Sequence, residues 1–79
     1  MPVTLYALDG CPYCEDVMET LDEHDVEYDV HWVEARFSSR DEVKRVSNQR
    51  GVPVLEDSDR SVVMANTEYI KDYIRKTLA

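Results

Sequence analysis

The chain has 79 residues, 43% of them hydrophobic, and a formal net charge of −8 from 17 acidic and 9 basic residues. That length leaves room for one small core, so residues 1–79 are read as a single domain; no apolar run approaches a membrane span, and no charged-then-apolar leader opens the chain. Residues 1–35 hold ten acidic side chains and no Lys or Arg, which argues against nucleic acid and anionic lipid as partners.

Val3-Thr4-Leu5-Tyr6-Ala7-Leu8 is rich in strand formers and stops at Asp9-Gly10, so it is the first strand. Cys11-Pro12-Tyr13-Cys14 follows and carries both cysteines of the chain. The first helix runs from Pro12 to about His24. Its apolar positions Cys14, Val17, Met18 and Leu21 fall at i, i+3, i+4 and i+7, one face of a helix. Glu15, Asp16, Glu19, Asp22 and Glu23 take the outer, solvated face. From Glu27 to Val33 the pattern alternates, with Tyr28, Val30 and Trp32 on one side and Asp29 and His31 on the other, which makes a second strand. His24 and His31 belong to a helix end and a strand face on this reading, not to catalysis.

Ser39 with Glu42 forms a capping box for a second helix, with Val43 and Val46 as its apolar stripe and Gly51 as its stop. Val52-Pro53-Val54-Leu55 begins the third strand, where a proline at the start withholds only one donor. Glu56 to Arg60 is a charged hairpin tip, and Ser61 to Met64 the fourth strand. Asn66 caps a third helix whose buried side is Tyr69, Ile70, Tyr73, Ile74 and Leu78. The order β-α-β-α-β-β-α predicts an α/β fold with a four-stranded mixed sheet and helices on both faces. The cysteines then lie beyond the C-terminal end of strand 1, where α/β folds place their sites.

Two cysteines two residues apart at a strand-to-helix junction read as a redox pair. The nucleophile in disulfide exchange is a thiolate, and a sulfur at a helix start faces unpaired N–H groups and the positive end of the dipole. Pro12 suits the first helical turn, where no N–H is needed. Cys11, ahead of the first turn, is assigned the attack; Cys14, on the inward face, resolves the mixed disulfide. A structural disulfide over so small a loop constrains little chain. Zinc wants four ligands, and His24 and His31 have no finger-like spacing to the cysteines, so no metal site is read. Two nearby thiols that cycle rather than staple suit the cytoplasm. High surface acid with three Lys against six Arg resembles proteins of salt-loving organisms as much as an ordinary acidic bacterial protein.

With these motifs in place, the chain resembles the glutaredoxins and, behind them, the thioredoxin-fold superfamily. Cys11-Pro12-Tyr13-Cys14 is the dithiol glutaredoxin motif as it stands. Val52-Pro53 looks like the family's Thr-Val-Pro element, with Gly51 in place of the threonine. Asn66-Thr67 falls where glutaredoxins carry a Cys-Asp pair and glutathione transferase N-terminal domains a Glu/Gln-Ser pair. The resemblance implies a thioredoxin-like fold, a cis Pro53, and a Val52 backbone that pairs with the bound thiol peptide. It implies a thiol-peptide site comprising Tyr13, Arg50, Val52, Pro53, Asn66 and Thr67. The implied activity is thiol–disulfide oxidoreduction through Cys11 and Cys14, by a monomer without a tightly bound cofactor. Its clients are disulfide-containing proteins, and glutathione or a similar small thiol is the cosubstrate. An alternative is a homodimeric carrier of an iron–sulfur cluster held by Cys11 of each subunit. The family often has a lysine three residues before the first cysteine, and Leu8 stands there; its Gly-Gly pair is Met64-Ala65. Arg50, Arg36 or Arg40 would have to supply the missing cation. The departures leave room for γ-glutamylcysteine, or for a flavoprotein reductase, as the electron source.

Overall fold

The structure is a computed structural model that describes residues 2–33, 41–47 and 51–78. In the helix Asp41–Ser47 it describes the side chains of Val43, Lys44, Arg45 and Ser47. The Ser39–Glu42 capping box, Arg36, Arg40, Arg50 and the Val46 side chain lie outside the described residues.

The elements follow the expected order: β1 (Val3–Ala7), α1 (Pro12–Glu23), β2 (Asp29–Trp32), α2 (Asp41–Ser47), β3 (Val54–Asp57), β4 (Val62–Met64) and α3 (Thr67–Tyr73), which runs on into a π-helical turn, Ile74–Leu78. The strands form one sheet in the order β2-β1-β3-β4, with β1 and β2 parallel and the other pairs antiparallel. Alternation along β1 divides the core between two faces. Val3, Leu5 and Ala7 pack with Cys14, Val17, Leu21, Leu55, Ile70 and Ile74 under α1 and α3, whereas Tyr6 packs with Val33, Val43 and Val54 under α2. This is a thioredoxin-like fold. Full burial of Val17 and Leu21 contributes roughly 1.5–3 kcal/mol each and holds α1 on the sheet.

Several details differ from the sequence reading, each for a local reason. The second strand starts at Asp29 rather than Glu27, because its register with β1 starts at Thr4 opposite Asp29. Val30 packs on the α1–α3 core, but Trp32 at the strand's end is 54% exposed. The third strand starts at Val54, since Pro53 has no N–H to give the ladder, and it extends to Asp57, so the hairpin tip is shorter than read. In α3 and the turn that continues it the inward stripe is Ile70, Tyr73, Ile74 and Leu78. Tyr69 sits about 100° around the helix from Ile70 and is exposed. Asp16 does not belong to the solvated face: it is half-buried and receives the Lys71 Nζ at 3.0 Å, which ties α3 to α1. His24 ends α1 as read, its Nδ1–H donating to the Thr20 carbonyl at 2.9 Å. His31 lies against the ring of Tyr6, with centroids 5.2 Å apart.

Glu15, Glu19, Asp22, Glu23 and Asp25 all stand exposed along α1 and its C-terminal turn, with no basic side chain in that stretch of sequence. Salt is therefore expected to stabilise the fold, because screening falls to about 3 Å at molar ionic strength. Thermal melts in dilute buffer and in molar KCl test this; a melting temperature that fails to rise removes the argument.

Candidate active site

The register gathers three loops at one end of the sheet. Tyr6 lies opposite Val54 and Leu55 opposite Met64. The end of β1, the start of β3 and the end of β4 therefore face the same way. The loop before α1, the Gly51–Pro53 segment and the start of α3 meet there.

The first loop is a tight turn. The Cys11 N–H donates to the Leu8 carbonyl at 3.1 Å, and Gly10 has φ +83°. A left-handed third residue in a four-residue turn favours glycine, because a Cβ there is strained even though nothing crowds it. The turn delivers Cys11 to the N-cap of α1 in an extended conformation, and its sulfur makes no capping hydrogen bond. Pro12 follows at the first helical position, the Cys11 carbonyl accepts from the Glu15 N–H at 3.0 Å, and Cys14 stands one turn in. Both cysteines are free thiols. Cys11 is half-buried on the edge of the α1–α3 core, whereas Cys14 is inside it at 0% exposure. Tyr13 between them is exposed.

The Val52–Pro53 peptide is cis, Pro53 is buried, and Val52 is half-buried against both core clusters. Leu8, which stands where the resemblance expects a lysine, packs against the α2-side cluster. At the third loop Asn66 is exposed and caps α3, its Oδ1 accepting from the Tyr69 N–H at 3.1 Å. Thr67 is half-buried, and its hydroxyl has no hydrogen-bond partner among the described residues. The structure thus brings Cys11, Tyr13, Cys14, Val52, Pro53, Asn66 and Thr67 to one end of the sheet. Arg50 lies outside the described residues. No group of three or more His, Cys, Asp or Glu side chains among the described residues is arranged to hold a metal ion, and no helix there is long and apolar enough to cross a membrane.

The sequence reading missed Asp57. Placed in the hairpin tip, it is instead the last residue of β3, at the opposite end of that strand from the cysteines, and its side chain is inaccessible to solvent. Its carboxylate accepts from the Tyr73 hydroxyl at 2.7 Å, the Arg60 Nη1 at 2.9 Å and the Asp59 N–H at 3.1 Å. Burial pushes this carboxyl up, but those three donors outweigh it and hold it below the usual aspartate value. A shallow concavity of about 330 Å³, lined by Glu56, Asp57, Ser58, Ser61, Val62 and Val63, lies on this hairpin, remote from the thiols.

A buried thiol one helical turn behind a reachable one, on a four-stranded mixed sheet with helices on both faces, defines a dithiol protein of the thioredoxin-like architecture. The glutaredoxin family model matches residues 3–62, and the chain belongs to that family. Among solved structures, the glutaredoxin grx-1 of Archaeoglobus fulgidus is 30% identical, with 94% of this chain and 86% of that one covered and a TM-score of 0.72. The trimeric glutathione transferase TDR1 of Leishmania is 26% identical over the whole of this chain and 17% of its own, with a TM-score of 0.84. Glutaredoxin 2 of Salmonella typhimurium, solved with glutathione, shares the fold at 20% identity and a TM-score of 0.81, with 94% of this chain and 33% of that one covered. This chain thus spans about a third or less of the length of the Leishmania transferase and of glutaredoxin 2. No curated protein sequence matches significantly.

Proposed function

We propose that this protein is a thiol–disulfide oxidoreductase that reduces protein disulfides and mixed disulfides through Cys11 and Cys14. The glutaredoxin family and fold support a glutathione-dependent role of this kind. The observation that carries it is the asymmetry of the two thiols: Cys11 is reachable at the N-cap of α1, and Cys14 is sealed behind it.

The Cys11 thiolate attacks one sulfur of the substrate disulfide. A Cys11–substrate bond forms, the substrate bond breaks, and the leaving thiolate takes up a proton. Cys14 gives up its proton and attacks the Cys11 sulfur, releasing the second substrate thiol. The substrate gains two electrons and two protons, and the protein is left with a Cys11–Cys14 disulfide. Two equivalents of a small thiol, glutathione or γ-glutamylcysteine, restore the dithiol; a flavoprotein reductase is the other source of electrons. The same reading has the protein acting as a monomer in the reducing cytoplasm. Reduction assays run side by side with each purified thiol and with such a reductase test the reading and identify the donor. Failure to reduce any disulfide with any of them overturns it.

The thiol is held by Val52, whose backbone an extended peptide can join as an added strand, and by the start of α3. Asn66 uses its side-chain oxygen as a cap, but the Thr67 and Glu68 N–H groups have no acceptor among the described residues. Those N–H groups and the Thr67 hydroxyl suit a γ-glutamyl carboxylate. Thr67→Val keeps the shape and the cap. It should raise the KM for the thiol roughly 10- to 150-fold, the loss of one hydrogen bond to a charged group, with the melting temperature nearly unchanged. Unaltered kinetics for every γ-glutamyl thiol would mean that the ligand is held elsewhere, by Arg50 alone, or that no small thiol is the physiological reductant.

A further inference from the structure

Exposed aromatic side chains cluster around the thiol end of this molecule. Four large hydrophobic side chains stand exposed among the described residues: Tyr13, Trp32, Val63 and Tyr69. Three of them are at that end. Tyr13 is in the first turn of α1 at 65% exposure, and Tyr69 in the first turn of α3 at 68%. Trp32 closes β2 opposite Ala7 and, by alternation from Val30, faces the α1–α3 side. Cys11 follows β1, which lies between β2 and β4 in the strand order.

The spacing exceeds what a small thiol can use. Trp32 is on β2, and α3 leaves from the end of β4, three strand spacings away across the sheet. That is about 14 Å at the usual separation of strands. An extended tripeptide reaches about 10 Å. A segment that runs along this end of the sheet from β2 to the start of α3, with its sulfur at Cys11, is a longer polypeptide.

The charge around these rings specifies the segment. Asp9 in the turn before Cys11, Glu15 in the first turn of α1 and Glu68 in the first turn of α3 are all exposed carboxylates. Lys71, the described cation nearest this end on the α1–α3 side, is half-buried, bound to Asp16 at 3.0 Å and 3.9 Å from Glu68, which it neutralises only in part at that distance. Arg60 pairs with Asp57 at the far end of β3. Aromatic faces interleaved with carboxylates suit Lys and Arg, which stack on rings while meeting an opposite charge.

We infer that Trp32 and Tyr69 form, with Asp9, Glu15 and Glu68, a docking rim for polypeptide disulfides whose cysteine is flanked by Lys or Arg. The inference rests on the oxidoreductase reading above and names its substrate class. The rim has no part in the electron transfer, which stays with Cys11 and Cys14.

The test uses three substrates: hydroxyethyl disulfide, and two matched peptides, each carrying its cysteine as a mixed disulfide with cysteamine, one flanked by Arg and the other by Glu. It compares the wild-type protein with the double variant Trp32→Thr, Tyr69→Gln, which leaves every charge in place. The expected result is a higher kcat/KM on the Arg peptide than on the Glu peptide. The double variant should lose roughly tenfold on the Arg peptide and keep its rate on hydroxyethyl disulfide. Equal wild-type rates on the two peptides overturn the inference. So does a preference that survives intact in the double variant, since the net charge of −8 then attracts the peptide at long range. In either case turnover of hydroxyethyl disulfide leaves the oxidoreductase reading standing. A wild-type protein inactive on all three substrates with glutathione, with γ-glutamylcysteine and with a flavoprotein reductase as electron donor loses both.

Discussion

Cys11→Ser is expected to reduce disulfide turnover to the uncatalysed background with every substrate and every electron donor. Serine keeps the N-cap and the fold, so circular dichroism and the melting temperature should barely move, but its hydroxyl does not exchange with disulfides. Cys14 cannot take over, because its side chain is fully enclosed by the α1–α3 core, and in the proposed cycle it attacks only the Cys11 sulfur. Cys14→Ser should behave differently. Attack proceeds, but no internal thiol resolves the product, so mixed disulfides with protein substrates accumulate and are visible by mass spectrometry. Small-thiol adducts should still turn over, since an external thiol can reach the Cys11 sulfur. The same asymmetry predicts that a thiol alkylating agent modifies the folded protein first at Cys11. Preferential labelling of Cys14, or a Cys11→Ser protein that retains turnover, would reverse the assignment.

The parts of this molecule that follow local rules were legible in the sequence. The period of Cys14, Val17 and Leu21 places one cysteine inward whatever the rest of the chain does, and Pro12 marks the helix start. Asn66 caps α3 because its side chain reaches an N–H three residues on, a relation wholly within the local sequence. The element order was legible for the same reason. What was missed depends on partners distant in the chain. Trp32 alternates correctly with Val30, but β2 is an edge strand and its last residue runs past the cover of α1. Asp16 looks like one more acid on a solvated face until Lys71, 55 residues later, lands against it. Asp57 sits in a run of charges that any local reading assigns to a turn, and only the return of α3 with Tyr73 makes it a core residue.

The second large effect is expected at that carboxylate. Asp57 joins the end of β3 to α3 through Tyr73 and to the hairpin turn through Arg60 and Asp59. Removing it in Asp57→Ala leaves the half-buried Tyr73 hydroxyl and the Asp59 N–H without their acceptor. Arg60 is half exposed and regains water at little cost. A fully buried unmet group costs about 1–3 kcal/mol, and these two are part-buried, so the expected loss is about 2–4 kcal/mol rather than the full sum. Against the roughly 4–12 kcal/mol typical of a domain this size, that is a large fraction, and the melting temperature should fall by roughly 10–25 °C. The effect should depend on pH in a stated direction. The carboxyl is held below its ordinary value of about 3.9, so its contribution is complete above about pH 4 and is lost as the pH falls through the lowered value. Tyr73 is pushed above its ordinary value, first by burial and then by Asp57, so its contribution is complete below about pH 10 and is lost as the pH rises through the raised value. Chemical denaturation of wild type and Asp57→Asn across pH 3 to 11 should therefore give stabilities that differ most between about pH 4 and 10 and converge in acid. A difference that stays the same from pH 7 down to the acid limit of folding would show that the carboxylate charge is not what holds β3 to α3. Because this network lies at the far end of β3 from Cys11, Asp57→Asn at a temperature where it remains folded should reduce disulfides at the wild-type rate.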